Sequence, residues 1–148
     1  MLKMSTQSLM YAAMEAANNG DFVLARQRLH EFESAIPRDR QLMSEYELLT
    51  VLSAVGGVYE QVGERDKAIT YLQGACACAE KVAPETAATA GDYSTLAEML
   101  ANRGRLKEAI TAFESAIRHL KACGEWERYK ESYERFLARL KEDAAATG

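Results

Sequence analysis

The chain has 148 residues, of which 48% are hydrophobic and 27% are charged, and it contains only two prolines. This composition excludes a disordered chain and predicts one soluble domain, rich in strong helix formers such as Ala, Leu, Glu and Lys. The net charge of −4 argues against nucleic acid as a partner, because phosphate binding needs clustered Lys and Arg.

No stretch of the sequence predicts secretion or insertion into a membrane. The chain becomes polar at Ser5, before an apolar signal-peptide core could form, and no apolar run approaches the roughly 18 residues of a membrane span. The three cysteines (Cys76, Cys78 and Cys123) are an odd number without a sign of secretion. We therefore expect reduced thiols in a cytoplasmic protein.

A repeated pattern organises the chain: a Gly is followed five residues later by an Ala. The pattern occurs at Gly20–Ala25, Gly63–Ala68 and Gly104–Ala109, and the glycines lie 43 and 41 residues apart. Gly adopts the left-handed conformation that often ends a helix, and a small Ala lets the next helix approach closely. The recurrence therefore predicts three pairs of helices.

In chain order, the predicted helices cover 5–19, 21–36, 40–62, 65–82, 88–103, 105–122 and 124–142. They group into units 5–37, 40–82 and 88–122, a last helix, and a disordered tail at 143–148, with residues 1–142 forming a single domain. Pro37 is expected to end the second helix and Pro84 to lie in the connection before the fifth. Short connections make successive helices antiparallel neighbours.

The last predicted helix carries an aromatic stripe at helical spacing, formed by Trp126, Tyr129, Tyr133 and Phe136. Its other side is basic, and no further Gly–Ala pattern follows it. Such a helix is typical of a cap that covers the last repeat of an array. A dimer or partner interface is the alternative, because exposed aromatic residues are unusual in a monomer.

The spacing of these residues resembles the tetratricopeptide repeat family. The second unit supplies the family's pattern as Leu52, Val55, Gly56, Tyr59, Gly63, Ala68, Leu72 and Ala75, and the third as Tyr93, Leu96, Ala97, Leu100, Gly104, Ala109, Phe113 and Ala116. The period exceeds the family's usual length of about 34 residues, and such long units look like the kinesin-light-chain type of repeat. The resemblance implies an all-α helical repeat array.

In proteins of this family the first helix of each unit lines a concave groove. Carried over by the alignment, the groove residues are Gln7, Met10, Met14 and Ala17, then Thr50, Ser53, Gly57 and Glu60, then Gly91, Ser94, Glu98 and Ala101. None of them is the Lys, Asn or Arg that would hold a C-terminal carboxylate. Their small, apolar and weakly acidic character favours an extended or helical peptide with apolar anchors and a basic residue opposite Glu60 and Glu98. Met10 and Met14 are equally compatible with packing on neighbouring helices.

Gly57 is the most informative of these residues. A Gly inside a helix costs about 1 kcal/mol relative to Ala, and Gly56 and Gly57 are adjacent. Gly56 stands where the family pattern needs a small residue against the next helix, but no packing rule of the family requires Gly57.

The sequence favours neither catalysis nor metal binding, and it predicts no cofactor. The two histidines, His30 and His119, are far apart, and no glycine-rich phosphate loop is present. Cys76 and Cys78 are two residues apart on a predicted helix, so their thiols point in different directions and are best explained as small buried side chains.

The sequence therefore predicts a non-catalytic adaptor that binds a peptide or helix of a partner protein in the groove. One alternative is a small cytoplasmic chaperone for a secreted or assembling partner. The other is a scaffold module that forms a homodimer through its last helix.

Overall fold

The structure is a computed structural model that describes residues 4–147. Seven α-helices account for most of this range, and no strand is present in it. The helices are α1 (Thr6–Asn18), α2 (Phe22–Asp39), α3 (Glu45–Gln61), α4 (Arg65–Val82), α5 (Ala87–Asn102), α6 (Leu106–Ala122) and α7 (Trp126–Thr147). The predicted all-α class and the three helix pairs with an additional last helix are confirmed.

The repeated glycines have the role that the sequence predicted. Gly20, Gly63 and Gly104 have φ angles of +79°, +85° and +74°, and each follows the first helix of a pair. Gly124, with φ of +80°, makes the same turn between α6 and α7. Only Gly adopts this conformation without a steric penalty, so these positions determine where each hairpin turns.

The helices belong to two compact units, one extending to Cys78 and one beginning at Ala79. In the first unit α1 packs on both α2 and α3. Its core contains small and large apolar side chains at helical spacing, among them Ala13, Ala25, Leu29, Phe32 and Val55. In the second unit α6 packs between α5 and α7. That core includes Ala97, Leu100, Ala109, Phe113, Ala116, Leu120 and Leu140.

Three helix boundaries differ from the predictions by more than two residues. Pro37 lies inside α2, which continues for two more residues to Asp39. The fixed φ of proline is compatible with a helix, and the backbone N–H that proline lacks removes a hydrogen bond only at the very end of α2. A 3₁₀ turn at Arg40–Leu42 then delays α3, which begins after Ser44, whose hydroxyl accepts a hydrogen bond from the Glu47 N–H at 3.1 Å. The last helix, α7, also extends to Thr147 instead of ending at residue 142, since the alanines at 144–146 favour helix. Gly148 lies outside the described residues.

Candidate functional site

The start of α1 is fastened to the end of α2 by one carboxylate. Asp39 Oδ2 accepts hydrogen bonds from the Thr6 N–H at 3.0 Å and from the Thr6 hydroxyl at 2.7 Å, and Arg38 pairs with the same carboxylate at 2.9 Å. The bonds from Arg38 and Thr6 hold the pKa of Asp39 well below its usual range. Because Thr6 is fully buried, this contact fixes the position of the first turn of α1.

Polar contacts also fix α3 relative to its neighbours. The Gln61 side-chain amide donates to Asn18 Oδ1 at 3.4 Å, which links the last turns of α1 and α3. The buried Tyr59 donates its hydroxyl hydrogen to Glu33 of α2, and its ring stacks on Tyr71 of α4 at 5.2 Å. Burial and the bond to Glu33 raise the pKa of Tyr59. The phenol therefore stays neutral and continues to donate this bond at physiological pH.

On this framework α1 and α3 present one accessible face of the first unit. Its predicted members on α1 are Gln7, which is exposed, and Met14, which is half-buried. Its predicted members on α3 are Thr50, Gly57 and Glu60, which are exposed, and Ser53, which is half-buried. The residues on each helix are three, four or seven positions apart and therefore share one side of it.

Two of the expected groove residues on α1 do not belong to this face. Met10 is only 3% exposed and Ala17 is buried as well. Both are part of the core of the first unit, where α1 contacts α2 and α3. Met10 is therefore a packing residue, and its removal from the candidate site corrects the sequence prediction.

Two tyrosines that the sequence analysis did not select complete the face. Tyr11 is 63% exposed and lies four residues after Gln7 and three before Met14. Tyr46 is 62% exposed and lies four residues before Thr50. Helical spacing from the chosen residues would have found both. We call the set Gln7, Tyr11, Met14, Tyr46, Thr50, Ser53, Gly57 and Glu60 the α1–α3 face.

The adjacent glycines of α3 have different surroundings. A Cβ added to Gly56 would lie 3.4 Å from the Ala68 carbonyl oxygen and 3.6 Å from Leu72 N of α4, so this position is in close helix contact. A Cβ added to Gly57 would meet nothing within 4 Å. Packing within the chain therefore accounts for a small residue at position 56 and not for the Gly at position 57.

The predicted groove residues of the third repeat lie on α5, in the second unit. Glu98 and Gly91 are exposed, while Ser94 and Ala101 are half-buried. The neighbouring Asp92 is half-buried, and burial raises its pKa. These residues also lie on one side of their helix, as the repeat frame requires.

A polar cluster in the second unit surrounds the fully buried His119. Its Nδ1 accepts the Glu85 backbone N–H at 2.8 Å, so Nε2 carries the hydrogen and donates to Glu80 at 2.8 Å. Tyr93 and Arg118 also donate to Glu80, each at 2.8 Å. Burial opposes ionisation of Glu80, but these bonds outweigh it and lower its pKa to about 2. Because both ring nitrogens are hydrogen-bonded, His119 holds the connection between α4 and α5 in place.

The aromatic stripe of α7 packs mainly within its own unit. The rings of Tyr133 and Phe136 both lie 4.7 Å from that of Phe113 in α6, and Trp126 contacts Tyr133 edge to face at 6.3 Å. These side chains and Tyr129 are half-buried. The contacts agree with the capping role, and the alternative of an oligomer interface stays a prediction.

The histidines and cysteines of the described residues do not form a metal-binding group. His30 is exposed on α2, far along the chain from the buried His119. Cys76 and Cys78 are buried and Cys123 is half-buried. Within residues 4–147 no group of three His, Cys, Asp or Glu side chains is placed to hold a metal ion. None of the helices in this range is long and apolar enough to cross a bilayer.

Comparison with known proteins supports the repeat interpretation. Over 74 residues, half of this chain, the sequence is 34% identical to Protein KINESIN LIGHT CHAIN-RELATED 1 of Arabidopsis thaliana, and this stretch spans only 12% of that protein. Two crystal structures of nearly identical TPR-like repeats, attributed to a kinesin light chain of Podosopora anserina, superimpose with TM-scores of 0.64 and 0.66. They are 15% and 16% identical, and the similarity covers 97% and 98% of this chain and 70% of each of those chains.

These structural matches establish the fold, and the sequence match agrees with the long-repeat type that the 41- and 43-residue spacings indicated. Domains of this fold are protein–protein interaction modules and are typically not enzymes. The family model for the tetratricopeptide repeat matches residues 47–122, which is just over half of the sequence. The chain belongs to the tetratricopeptide repeat family.

Proposed function

We propose that this protein is a non-catalytic adaptor that binds a peptide or helix of a partner protein on the α1–α3 face. The observation that carries the proposal is the exposure of Tyr11 and Tyr46, together with the half-buried Met14, on two helices of one unit that pack on each other. Tyr combines a large apolar ring with a polar hydroxyl and is enriched at binding hot spots. Met adapts its shape to different partners.

The surroundings of the α1–α3 face support binding to a preorganised surface. The contacts of Thr6 with Asp39 and of Gln61 with Asn18 hold α1 and α3 in place before any partner arrives. A surface that is already ordered loses less conformational entropy on binding. At Gly57 the absence of a side chain leaves the α3 backbone open to close approach by a partner.

Selection of peptides from a random display library on the purified protein tests the proposal. We expect the double substitution Tyr11→Ala/Tyr46→Ala to lower the affinity for the selected peptides at least tenfold, as measured by fluorescence polarisation. The reason is that truncation of a hot-spot residue costs about 2 kcal/mol or more of binding free energy.

The matched control is Phe22→Ala/Val23→Ala, which removes two exposed apolar side chains of the same unit from α2, outside the α1–α3 face. We expect this control to change the affinity by less than about twofold. Equal losses in the two double variants would show that binding does not use the α1–α3 face and would contradict the proposal.

Self-association through α7 is a second candidate. A concavity of about 450 Å³ between α6 and α7 is lined by Ile117, Trp126 and Leu137, with Glu114, Arg118, Lys121 and Glu134 at its edges. A second copy could place an apolar side chain there. Light scattering at tens of micromolar decides this candidate, because a strict monomer at that concentration excludes it.

A further inference from the structure

Charge is distributed unevenly between the first and second helices of the repeats. The first helices α1, α3 and α5 contain no Lys, Arg or His. Their charged residues are the six acids Glu15, Glu45, Glu47, Glu60, Asp92 and Glu98. By contrast, each of the second helices α2, α4 and α6 carries three Lys or Arg side chains together with two or three acids. The helices that supply the family's groove are thus the acidic ones in every repeat.

Two of these acids, Glu60 of the α1–α3 face and Glu15 next to that face on α1, have no ion pair among the described residues. Glu15 follows Tyr11 by four residues on α1, and Glu60 follows Gly57 by three on α3. Both are exposed, and within residues 4–147 the structure gives neither of them an ion pair. Some other exposed acids do have partners, for example Glu108 with Arg105 at 2.6 Å. The negative charge at the α1–α3 face is therefore available to a partner.

We infer that the segment bound at the α1–α3 face is basic: its Lys or Arg side chains pair with Glu15 and Glu60 and lie over the rings of Tyr11 and Tyr46. This inference rests on the proposed function and adds the chemical class of the partner. A Lys or Arg cation is attracted to the face of an aromatic ring, and on α1 the carboxylate of Glu15, one helical turn from Tyr11, adds to that attraction. The long aliphatic stems of Lys and Arg also suit the apolar surface of Met14.

The molecule uses the same chemistry within its own fold. Lys121 Nζ lies 5.2 Å from the centre of the Trp126 ring, and Lys67 Nζ lies 5.5 Å from the centre of the Tyr59 ring. Lys67 also pairs with Glu33 at 3.0 Å, so one cation is shared by a ring and a carboxylate. On α1 the ring of Tyr11 and the carboxylate of Glu15 are one turn apart, and within residues 4–147 the structure pairs neither with a cation, which is the complement that a basic partner supplies.

Three synthetic peptides of about 12 residues test the inference. They share the same apolar residues at helical spacing and differ only at their remaining positions, which are Lys and Arg, Glu, or Ser. Binding is measured by fluorescence polarisation in about 50 mM and about 300 mM salt. We expect the basic peptide to bind at least tenfold more tightly than the acidic one at low salt, and this difference to shrink at high salt.

Two charge-reversing variants separate a local site from general attraction to an acidic protein. Glu15→Lys/Glu60→Lys reverses the charge at the α1–α3 face, while Glu114→Lys/Glu142→Lys makes the same change in net charge on exposed residues of α6 and α7. The first variant should lower the affinity for the basic peptide at least fivefold more than the second variant does. Equal weakening would overturn the inference, and so would a Ser or Glu peptide that binds as tightly as the basic one.

The Tyr11→Ala/Tyr46→Ala variant, measured with the same peptides, distinguishes failure of the inference from failure of the proposed function. If the Ser or Glu peptide binds best and this variant abolishes its binding, the α1–α3 face is the site and only the basic character of the partner is refuted. If none of the peptides binds, or if this variant leaves all binding unchanged, both are refuted.

Discussion

The two units of the chain differ in how many of their large apolar side chains are exposed. Among the described residues, those that remain exposed are Met4, Tyr11, Phe22, Val23, Leu42 and Tyr46, all in the first unit. In the second unit, Trp126, Tyr133 and Phe136 join Phe113 in a cluster of rings, and Tyr93 stacks on His119 at 5.6 Å. The same repeat frame therefore presents apolar surface in one unit and covers it in the other.

Truncation of Phe113 should have the largest effect on the second unit. Phe113 is 2% exposed and contacts the rings of both Tyr133 and Phe136. Phe113→Ala should lower the free energy of unfolding by about 3–5 kcal/mol, because it removes a buried ring and leaves a cavity under α7. Urea unfolding followed by circular dichroism measures this loss. A loss below about 1 kcal/mol would mean that the ring cluster does not hold α7 in place.

Substitution of Glu80 should destabilise the second unit in a pH-dependent manner. The pKa of Glu80 is about 2 in the folded state, against about 4.3 for an unfolded Glu. Its ionised form therefore stabilises the fold above pH 4.3, and this contribution is lost as the pH falls from about 4.3 towards 2. Because the side chain is partly exposed, we expect Glu80→Gln to cost roughly 1–2 kcal/mol at pH 7.

The check is urea unfolding of wild type and Glu80→Gln between pH 7 and pH 3, where the difference between them should shrink. Glu33→Gln is the matched variant in the first unit, because the pKa of Glu33 is also lowered: burial opposes ionisation, but the hydrogen bonds from Tyr59 and Lys67 outweigh it. It has two side-chain donors where Glu80 has three. We therefore expect Glu33→Gln to lower the free energy of unfolding less than Glu80→Gln does. A larger loss for Glu33→Gln would contradict the view that the hydrogen bonds around Glu80 stabilise the fold more.

Substitution of the two glycines of α3 should have a smaller effect, and it should stabilise the fold rather than destabilise it. Gly57→Ala should raise the free energy of unfolding by about 0.5–1 kcal/mol, because Ala favours helix and the new methyl group has open space. Gly56→Ala should gain less, since its methyl group would touch α4. Thermal unfolding of both variants tests this order. If Gly57→Ala also weakens peptide binding while stabilising the fold, the open backbone at position 57 serves the partner.

Removal of the exposed ring at position 11 should have the smallest effect on stability. Tyr11→Ala should change the free energy of unfolding by no more than about 0.5 kcal/mol, because the side chain is mostly in water. The same urea titration used for Phe113→Ala measures it. A loss above about 1 kcal/mol would show that Tyr11 belongs to the fold rather than to a binding surface, and the contrast between the two units would disappear.

Local signals were enough to predict the repeat architecture. Gly20, Gly63 and Gly104 each end a helix through their own backbone freedom, and Asp21 caps α2 by accepting from the Leu24 N–H at 3.1 Å. The start of α3 was missed although Ser44 and Glu47 have the spacing of a capping box. The apolar periodicity alone does not locate this helix start, whereas the Ser44 cap does.

Which residues belong to the candidate site depends on contacts between helices, and the spacing of residues along one helix does not determine those contacts. Met10 and Met14 are one turn apart on α1, yet the first is buried and the second is half-buried, because the packing of α1 against two helices decides their exposure. The cluster around His119 joins residues 34 and 39 positions apart in the sequence. No local pattern indicates such a pairing.

The separation of charge within each helix pair also has a kinetic consequence. The charged residues of the first helices are all acidic, so these helices produce a negative electrostatic field that extends beyond direct contacts, over about 10 Å at 0.1 M salt. A basic segment arriving from solution would be oriented by this field before it touched Tyr11 or Tyr46. Loss of Glu15 and Glu60 would then slow association more than it would speed dissociation, and the tyrosines would govern how long the partner stays.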